Sequence, residues 1–416
     1  MNKTINFVDL FAGASGLSEG FYRAGFFPIA HVEMDKFAAF TIKTRAAYYY
    51  CIENNIEYLY KEYYEGKINR EEFYAEVPNY KFDTVINEEI SDENFKEIIK
   101  RINESKQNKG KNDIDLIIGG PPCQAYSISG RRTNKSNKKD DKRIYYYKLY
   151  SKFLKTIRPK MFVFENVPGL ISFENGYIFD DLRQTLSAAG YELDYKILNA
   201  SSFGVLQDRK RIIIIGWKKE FGLAYPSLET TSLDAKINDL LKDLPIIGPD
   251  SVNPPIKYSV KATDYLKASE IRNGYKKVSQ HITRPHNKLD LEIYKRAIEL
   301  WNKSKIRIKY SDLPRSLRTH KYVDGFLDRF KVVAGNEPYC HTLVAHIAKD
   351  GHHYIHPDID QCRSISVREA ARIQSFPDNF IFEGPRTSAF TQIGNAVPPL
   401  MANIIAKGIK KELKSL

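Results

Sequence analysis

The stretch INFVDLFAGASGLSEGF, residues 5–21, joins a short apolar run to a glycine-containing turn and a helical pattern. The run at 5–10 predicts a buried strand, and a helix is predicted near 17–24. The same alternation continues, with strands predicted at 29–33, 81–86, 115–120, 161–167 and 211–217, and helices near 36–47, 145–157 and 178–189. Alternating strands and helices indicate βαβ units, so we expect an α/β fold with a mostly parallel sheet covered by helices on both faces.

Two segments depart from this rhythm. Residues 48–80 are rich in Tyr and Glu, and we interpret them as a helical insertion at the rim of the fold. After Trp217 the periodicity weakens and prolines punctuate a polar stretch, which is typical of a smaller, irregular domain. Helical patterns return at 367–374 and 398–413. We therefore expect a first domain at 1–223, a second at 224–361, and a return to the first domain at 362–416.

Composition limits the class of protein. The 416 residues are 42% hydrophobic and 28% charged, which is typical of a soluble globular chain. Lys+Arg 64 against Asp+Glu 51 gives a net charge of +13, which favours a polyanionic partner. Four cysteines without a CxxC pair argue against a disulfide scaffold or a zinc ribbon. No signal peptide is evident, and the longest apolar run, 46–52, is too short to span a bilayer, so we expect a cytoplasmic protein without a membrane association.

The turn after the first strand contains Gly13 and Gly16. Glycine allows a ligand to approach bare backbone, but the spacing matches neither the GxGxxG fingerprint nor a P-loop. Asp9, at the end of the strand, could hold a cationic or hydroxyl group. Glu33, at the end of the second strand, is placed where an acid takes a ribose hydroxyl pair. An ordinary βα turn with solvated acids is the alternative interpretation.

The segment GGPPCQAYS, residues 119–127, places Cys123 just after the fourth predicted strand. Two prolines stiffen the chain before the thiol, and the carboxyl edge of an α/β sheet is where ligands bind. Most free cysteines are buried small hydrophobic residues. A Pro-Pro-Cys-Gln loop is a poor place for such a residue, so we favour a nucleophile.

The fifth predicted strand, within MFVFENVPGL at 161–170, ends in Glu165 and Asn166. A carboxylate at the mouth of a buried strand is costly unless it is paired or catalytic, and burial would make it a proton donor near neutrality. A carboxylate that caps the following helix is an equally good interpretation of this segment alone.

The two segments PPCQ and ENV, in this order on consecutive strands, resemble the cytosine-C5 DNA methyltransferase family of prokaryotic restriction–modification systems. Further segments match the family in order, namely FAGASGLSEGF at 11–21, Glu33, QDRKR at 207–211, RSISVREAARIQSFPD at 363–378 and QIGNAVPP at 392–399. The resemblance covers nearly the whole chain. It implies a Rossmann-like methyltransferase fold that uses S-adenosylmethionine, releases S-adenosylhomocysteine and needs no metal, with a target-recognition domain at 224–361.

The resemblance also implies a mechanism. Thiolate addition by Cys123 at C6 of cytosine makes C5 nucleophilic, and Glu165 binds the N3/N4 edge. Arg209 and Arg211 would lie near the base and touch its O2 or flanking phosphates, unless they form a structural ion pair instead. The base must be flipped out of the duplex.

Cofactor contacts follow from the same resemblance. The residues expected at the cofactor are Phe11, Ala12, Gly13, Gly16, Leu17, Glu33, Met34, Glu89, Ile90, Gly120, Pro122, Asn395 and Val397. The family usually has an Asp-Ile pair at the adenine, whereas this chain has Glu89-Ile90, at 89 − 33 = 56 residues from Glu33. Asp92 is the alternative for that contact. The closing helix is expected to pack beside the first helix.

Contacts to double-stranded DNA are expected from Gln124, Ser127, Arg131, Arg132, Gln207 and Thr342. The tract 129–143 carries seven Lys/Arg against two Asp from residue 130 onward and is suited to close over a flipped strand; a solvated loop is its alternative. The residues around 349–352 are further candidates. We reject a zinc site at His341, His346, His352, His353 and His356, because no Cys pair completes it, and interpret these histidines as turn and phosphate-proximal residues.

The expected enzyme acts as a monomer, and a cognate restriction endonuclease is a candidate partner without a stable complex. A tRNA cytosine-C5 methyltransferase and an inactive DNA-binding homologue are the alternative functions. Neither the DNA target nor the adenine-reading residue follows from the sequence.

Overall fold

The computed structural model describes residues 4–122, 126, 142–231, 234–319 and 327–416. The strands of these ranges, in chain order, are β1 (Asn6–Leu10), β2 (Phe27–Val32), β3 (Val85–Ile86), β4 (Leu116–Gly119), β5 (Met161–Asn166), β6 (Tyr191–Asn199), β7 (Gln207–Asp208), β8 (Lys210–Lys218), β9 (Ile256–Lys257), β10 (Lys277–Val278) and β11 (Cys340–His341).

The α-helices of the same ranges are α1 (Gly16–Arg23), α2 (Lys36–Glu53), α3 (Glu57–Tyr64), α4 (Arg70–Ala75), α5 (Asn79–Phe82), α6 (Phe95–Asn108), α7 (Tyr146–Ile157), α8 (Gly169–Ser172), α9 (Tyr177–Ser187), α10 (Asn238–Leu241), α11 (Asp264–Ala268), α12 (Lys288–Ser304), α13 (Val367–Ile373), α14 (Arg386–Asn395) and α15 (Pro399–Lys414).

The central sheet, as far as the described residues show, has seven strands in the order β3-β2-β1-β4-β5-β8-β6. The pairs from β3 to β5 are parallel, whereas β8 runs antiparallel to both β5 and β6. The predicted α/β class with a mostly parallel sheet is confirmed. The strand order reverses between β1 and β4, and the carboxyl ends of β1, β2, β4 and β5 therefore open a crevice at one edge, where α/β folds bind ligands.

Two strands of the central sheet differ from the sequence prediction. β3 is limited to Val85–Ile86, because Asn79–Phe82 immediately before it is helical. β6 was not predicted; its sequence YELDYKILN alternates and leaves many side chains partly exposed, as expected of an edge strand rather than a buried one.

Helices cover both faces of the sheet, and two large hydrophobic clusters lie between the layers. On one face, α1 packs against α15 so closely that a Cβ on Gly20 would come within 2.4 Å of the Ala402 Cβ. The Asn403 side chain also donates to the Gly20 carbonyl, at 3.1 Å. The prediction that the closing helix packs beside the first helix is confirmed.

The Tyr-rich segment forms α3, α4 and α5 after the end of α2. Its tyrosines are bonded to the later part of the chain: the Tyr60 hydroxyl donates to the Asn379 carbonyl, at 2.5 Å, and the Tyr64 hydroxyl donates to the Lys277 carbonyl, at 3.1 Å. This segment therefore connects the sheet domain to residues 275–281 and 378–383.

The region 224–361 contributes to two cores. One cluster, around Tyr294 and Phe330, lies almost wholly inside it and includes α12. Residues 235–271, in contrast, share a core with the returning segment 365–396. None of the helices in the described ranges combines the length and the apolarity needed to cross a membrane.

Candidate active site

The crevice at the carboxyl edge of the sheet contains a cavity of about 790 Å3, within the usual size range for small-molecule sites. All of the residues predicted to contact the cofactor line it, namely Phe11, Ala12, Gly13, Gly16, Leu17, Glu33, Met34, Glu89, Ile90, Gly120, Pro122, Asn395 and Val397. Glu165 and Arg211 line the same cavity. The folding of distant segments into one edge thus brings together residues that span positions 11 to 397.

The turn between β1 and α1 faces Glu33. The Gly13 amide donates to Glu33 Oε2 at 2.7 Å, and the Asp35 amide donates to Oε1 at 2.8 Å. Gly13 has φ +54°, a conformation that favours glycine. Burial raises the pKa of Glu33, although these amides oppose the shift. Because backbone groups hold the carboxylate on both oxygens, its orientation toward the cavity is fixed.

Asp9 lies at the floor of the cavity, at the end of β1. The Ser18 hydroxyl donates to Asp9 Oδ2 at 2.5 Å. Burial raises the pKa of Asp9 to about 8, with the negative charge of Glu33 adding to the shift. The sequence prediction that Asp9 holds a hydroxyl is met by a residue of the chain itself, on α1.

Glu165 ends β5 and is almost completely buried. Its Oε1 lies 2.8 Å from Nε of Arg211, which is on the neighbouring strand β8. Burial raises the pKa of Glu165, and the positive charges of Arg211 and Arg209 only partly offset it. The following helix, α8, has no side-chain cap, so the alternative that Glu165 caps it is wrong. A carboxyl with a raised pKa beside a guanidinium can exchange a proton with a bound base.

Gly120 and Asn166 shape the wall next to Glu165. A Cβ on Gly120 would come within 2.4 Å of Glu165 Oε2, so only glycine leaves room for the carboxylate. The Asn166 amide donates to the Pro121 carbonyl at 3.1 Å, which ties the end of β5 to the segment after β4.

Arg209 requires a correction. It was expected to touch the base or a phosphate, but its side chain is fully buried and does not line the cavity. Its guanidinium donates to the carbonyls of Leu343 at 2.6 Å, Gly394 at 3.1 Å and Ala396 at 2.9 Å. Arg209 therefore connects segments far apart in the chain through these three carbonyls.

Gln207 requires the same correction. It was expected to contact DNA, but its side chain is fully buried. Its Oε1 accepts from the Leu343 amide at 2.8 Å, and its Nε2 donates to Gln374 Oε1 at 2.9 Å. Thr342, also expected at the DNA, is partly exposed, and its hydroxyl donates to the Asp208 carbonyl at 2.6 Å. Short strands β7 and β11 pair here, so residues 207–209 dock the segment 340–343 onto the catalytic part.

Several predicted residues lie outside the described residues, namely Cys123, Gln124, Ser127, Arg131 and Arg132, with most of the tract 129–143. Pro121 and Pro122, which precede Cys123, line the cavity.

Tyr146 was missed by the sequence analysis. It lines the cavity at the start of α7, its ring centroid lies 5.4 Å from that of Phe11, and its hydroxyl donates to Glu89 Oε1 at 3.3 Å. Helical periodicity predicted α7 but carried no signal for this contact. Asp92, the alternative to Glu89, does not line the cavity, and it pairs with Lys152 at 2.7 Å. Further lining residues that were missed are Lys36, Phe37, Thr387, Ser388 and Thr391.

The histidines of the segment 341–356 are mainly internal, which corrects their expected role near phosphates. His356 is 4% exposed and lies 3.4 Å from Glu369, and burial lowers its pKa to about 4. His341 bonds the His353 carbonyl at 2.6 Å. His346 is the exposed member and faces Asp350, at 3.2 Å. Within the part of the chain that the structure describes, no group of three or more His, Cys, Asp or Glu residues could hold a metal ion.

Comparison with known proteins identifies the family. The family model described as C-5 cytosine-specific DNA methylase matches residues 5–86 and 88–411. The type II methyltransferase M.Bpa9945I of Bacillus paralicheniformis is 40% identical over 438 residues, covering 97% of this chain and 98% of that protein. The type II methyltransferase M.DdeI of Desulfomicrobium norvegicum is 30% identical over 427 residues, covering 97% of this chain and 88% of that protein.

Solved structures with the same fold are known. A crystal structure described as a DNA modification methyltransferase encoded within an Escherichia coli prophage has a TM-score of 0.66 and 26% identity, covering 99% of this chain and 100% of that one. The Entamoeba histolytica methyltransferase EhMeth shares the fold, with a TM-score of 0.57 at 16% identity and coverage of 100% and 99%. With the family model matching nearly the whole length, this chain belongs to the C-5 cytosine-specific DNA methylase family.

Proposed function

We propose that this chain, a DNA (cytosine-5)-methyltransferase by family, methylates one cytosine within a specific duplex sequence as the modification enzyme of a type II restriction–modification system. The observation that carries the proposal is the pairing of Glu165 with Arg211 in the same cavity as the glycine turn and Glu33. A carboxyl group that can hold a proton therefore lies next to a site large enough for a nucleoside.

The cavity suits S-adenosylmethionine, which supplies the methyl group and carries a positive charge. Among the described residues, six acids and two bases line it: Asp9, Glu33, Asp35, Glu88, Glu89 and Glu165 against Lys36 and Arg211. Glu33 is held by two amides, which leaves its outer lone pairs for ribose hydroxyls. Phe11 and Tyr146 offer rings for a purine, and Ile90 offers an apolar wall. We assign the contact with the adenine amine to Glu89.

On the other side of the cavity, Glu165 would bind the N3/N4 edge of a cytosine flipped out of the duplex. Its raised pKa allows it to hold the proton that N3 needs while the ring is activated, and Arg211 keeps its carboxylate oriented. The nucleophile is assigned by family resemblance to Cys123, whose thiolate adds to C6 and makes C5 nucleophilic. After methylation, C5 loses its proton and the sulfur leaves C6.

Double-stranded DNA is the proposed partner, and the net charge of +13 favours it. We assign target recognition to the region 224–361 and closure over the flipped strand to the basic tract 129–143, with Gln124, Ser127, Arg131 and Arg132 as contacts. We further propose that the enzyme works as a monomer in the cytoplasm, near the nucleoid, and without a stable complex with its endonuclease.

Methyl transfer is the direct test. The protein is incubated with tritiated S-adenosylmethionine and either plasmid DNA or bulk tRNA, and the modified plasmid is then sequenced after bisulfite treatment. We expect label in duplex DNA and protected cytosines at one recurring sequence. Label confined to tRNA would reject the proposal.

The covalent step has its own test. A duplex with 5-fluorocytosine at the methylated position should form a denaturation-resistant adduct with the parent protein and none with Cys123→Ser. A Cys123→Ser protein that methylates DNA as fast as the parent would refute the assigned nucleophile.

A further inference from the structure

Arg329 and Arg284 lie near Asp350, and Arg386 lies beside Arg284. Arg329 forms an ion pair with Asp350. Arg284 lies over the Phe390 ring, 4.9 Å from its centroid, and Arg386 donates to the carbonyl of Thr283 at 2.8 Å, directly beside Arg284. We call Arg284, Arg329 and Arg386 the arginine cluster. With Asp350 included, its formal charge is 3 − 1 = +2.

Within the described ranges, two members of the arginine cluster, Arg284 and Arg386, form no ion pair. Arg284 is 7% exposed, and its guanidinium donates to the Ile347 carbonyl. The Nε atoms of both side chains are buried without a hydrogen-bond partner among the described residues. Burial lowers the pKa of Arg284 and the positive charge of Arg386 lowers it further, whereas the charge of Asp350 acts in the opposite direction. Two adjacent guanidinium groups with one carboxylate nearby favour the binding of a further anion.

The position of Arg386 leaves the site accessible. Arg386 is only partly buried and is the first residue of α14, which has ten residues and no side-chain cap. The first N–H groups of such a helix have no partner within the helix and attract phosphate. Thr387 and Ser388 line the methyl-transfer cavity, whereas Arg386 does not. Its guanidinium therefore points away from the cavity, toward Thr283.

The position of the arginine cluster relative to the cavity indicates which anion it would bind. The turn from Ile347 to Gly351 lies against Arg284. A Cβ on Gly351 would lie 3.4 Å from Arg284 Nε. The same turn carries Lys349, which is exposed. On its other side, α14 borders the cavity that receives the flipped base in the proposed function. A DNA strand whose base enters that cavity must carry its phosphates along the rim.

We propose that the arginine cluster binds one phosphate of the DNA backbone at the N-terminus of α14 and so holds the DNA beside the methyl-transfer cavity. This inference rests on the proposed function, because it assumes that DNA is the substrate. The contact is independent of base sequence, so it positions the DNA without specifying the target.

Salt dependence of binding tests the contact. Fluorescence anisotropy measures the Kd of the parent, Arg386→Gln and Arg183→Gln for a duplex that the parent methylates, over a series of salt concentrations. One lost phosphate contact reduces the slope of log Kd against log salt by about 0.9. We expect this reduction in Arg386→Gln. Arg183, an exposed residue of α9 outside the region assigned to target recognition, controls for net charge, and its substitution should leave the slope unchanged.

Lys349→Gln, at an exposed position, gives a second measurement that does not depend on the folding of Arg386→Gln, and we expect a smaller slope there as well. Inorganic phosphate at constant ionic strength should weaken DNA binding by the parent more than by Arg386→Gln. The inference is overturned if the slope is unchanged in the folded Arg386→Gln protein, or if inorganic phosphate raises the Tm of the parent without affecting its DNA binding. A parent that binds no DNA would instead reject the proposed function.

Discussion

The carboxylate of Glu165 lies directly against the backbone of Gly120, so that a Cβ at residue 120 would come within 2.4 Å of Oε2. Gly120→Ala must therefore displace the carboxylate or the backbone before Cys123. Because a shift of about 1 Å can cost about 100-fold in rate, we expect kcat for DNA methylation to fall by at least about that factor. Gly248→Ala, where the new Cβ meets nothing within 4 Å, is the matched control. Equal activity of the two variants would contradict the assigned role of Glu165.

The pH dependence of kcat/KM should report on Glu165. As a proton donor, Glu165 is active when protonated, so activity decreases as pH rises through its pKa, which burial raises. Arg211 lowers that pKa. Arg211→Gln should therefore shift the decrease to higher pH, and Glu165→Gln should abolish it. A shift to lower pH in Arg211→Gln would show that another group titrates.

Glu33→Gln should weaken the binding of S-adenosylmethionine without affecting the binding of DNA. The carboxamide cannot accept from both the Gly13 and the Asp35 amides, so the turn loses one of its two anchors. We expect KM for S-adenosylmethionine to rise by about tenfold, equivalent to about 1.4 kcal/mol, with little change in the Kd for DNA. Glu57→Gln, at a partly exposed position of α3, should leave both unchanged. An unchanged KM in Glu33→Gln would exclude Glu33 from the cofactor site.

Arg209→Met should destabilise the protein. It removes the guanidinium that donates to the buried carbonyls of Leu343, Gly394 and Ala396, and a buried group left unsatisfied costs about 1–3 kcal/mol. We expect the free energy of unfolding, measured by urea denaturation, to fall by about 3 kcal/mol. Arg183→Met on the exposed face of α9 should change it by less than about 0.5 kcal/mol. A fully stable Arg209→Met with impaired DNA binding would restore the original expectation of a DNA contact.

Acid should destabilise the protein through buried histidines. The pKa of His356 is lowered from 6.5 to about 4 by burial, so the unfolded chain binds the proton first. Its stability contribution is complete above about pH 6.5 and is lost as pH falls toward about 4, by at most about 1.4 kcal/mol per pH unit. Between pH 7 and pH 5, His356→Gln should lose less unfolding free energy than the parent.

Four of the residues that line the cavity as expected share one property: they lie at or just after the ends of predicted strands. Gly13 follows β1, Glu33 follows β2, Gly120 follows β4, and Glu165 ends β5. The carboxyl ends of neighbouring parallel strands lie at one edge of the sheet. Identifying each strand in the sequence was therefore enough to predict that these side chains lie close together.

The misplaced residues depended on packing between distant segments. Gln207 and Arg209 sit in a segment whose residue types suit DNA, yet both turn inward because Leu343, Gln374 and Gly394 are folded over them. Neither charge nor periodicity reveals a neighbour more than 130 positions away. The same is true of the contact between Phe11 and Tyr146.

The amino-acid sequence by itself therefore determined the α/β class, the order along the chain of the strands that carry the site, and the family, because these are encoded in local patterns. Only the tertiary structure decided which basic side chains are exposed. Arg209 is fully buried against three carbonyls, whereas Arg386 is only partly buried and donates to the carbonyl of Thr283. These quantities arise from long-range packing, and a linear pattern does not contain them.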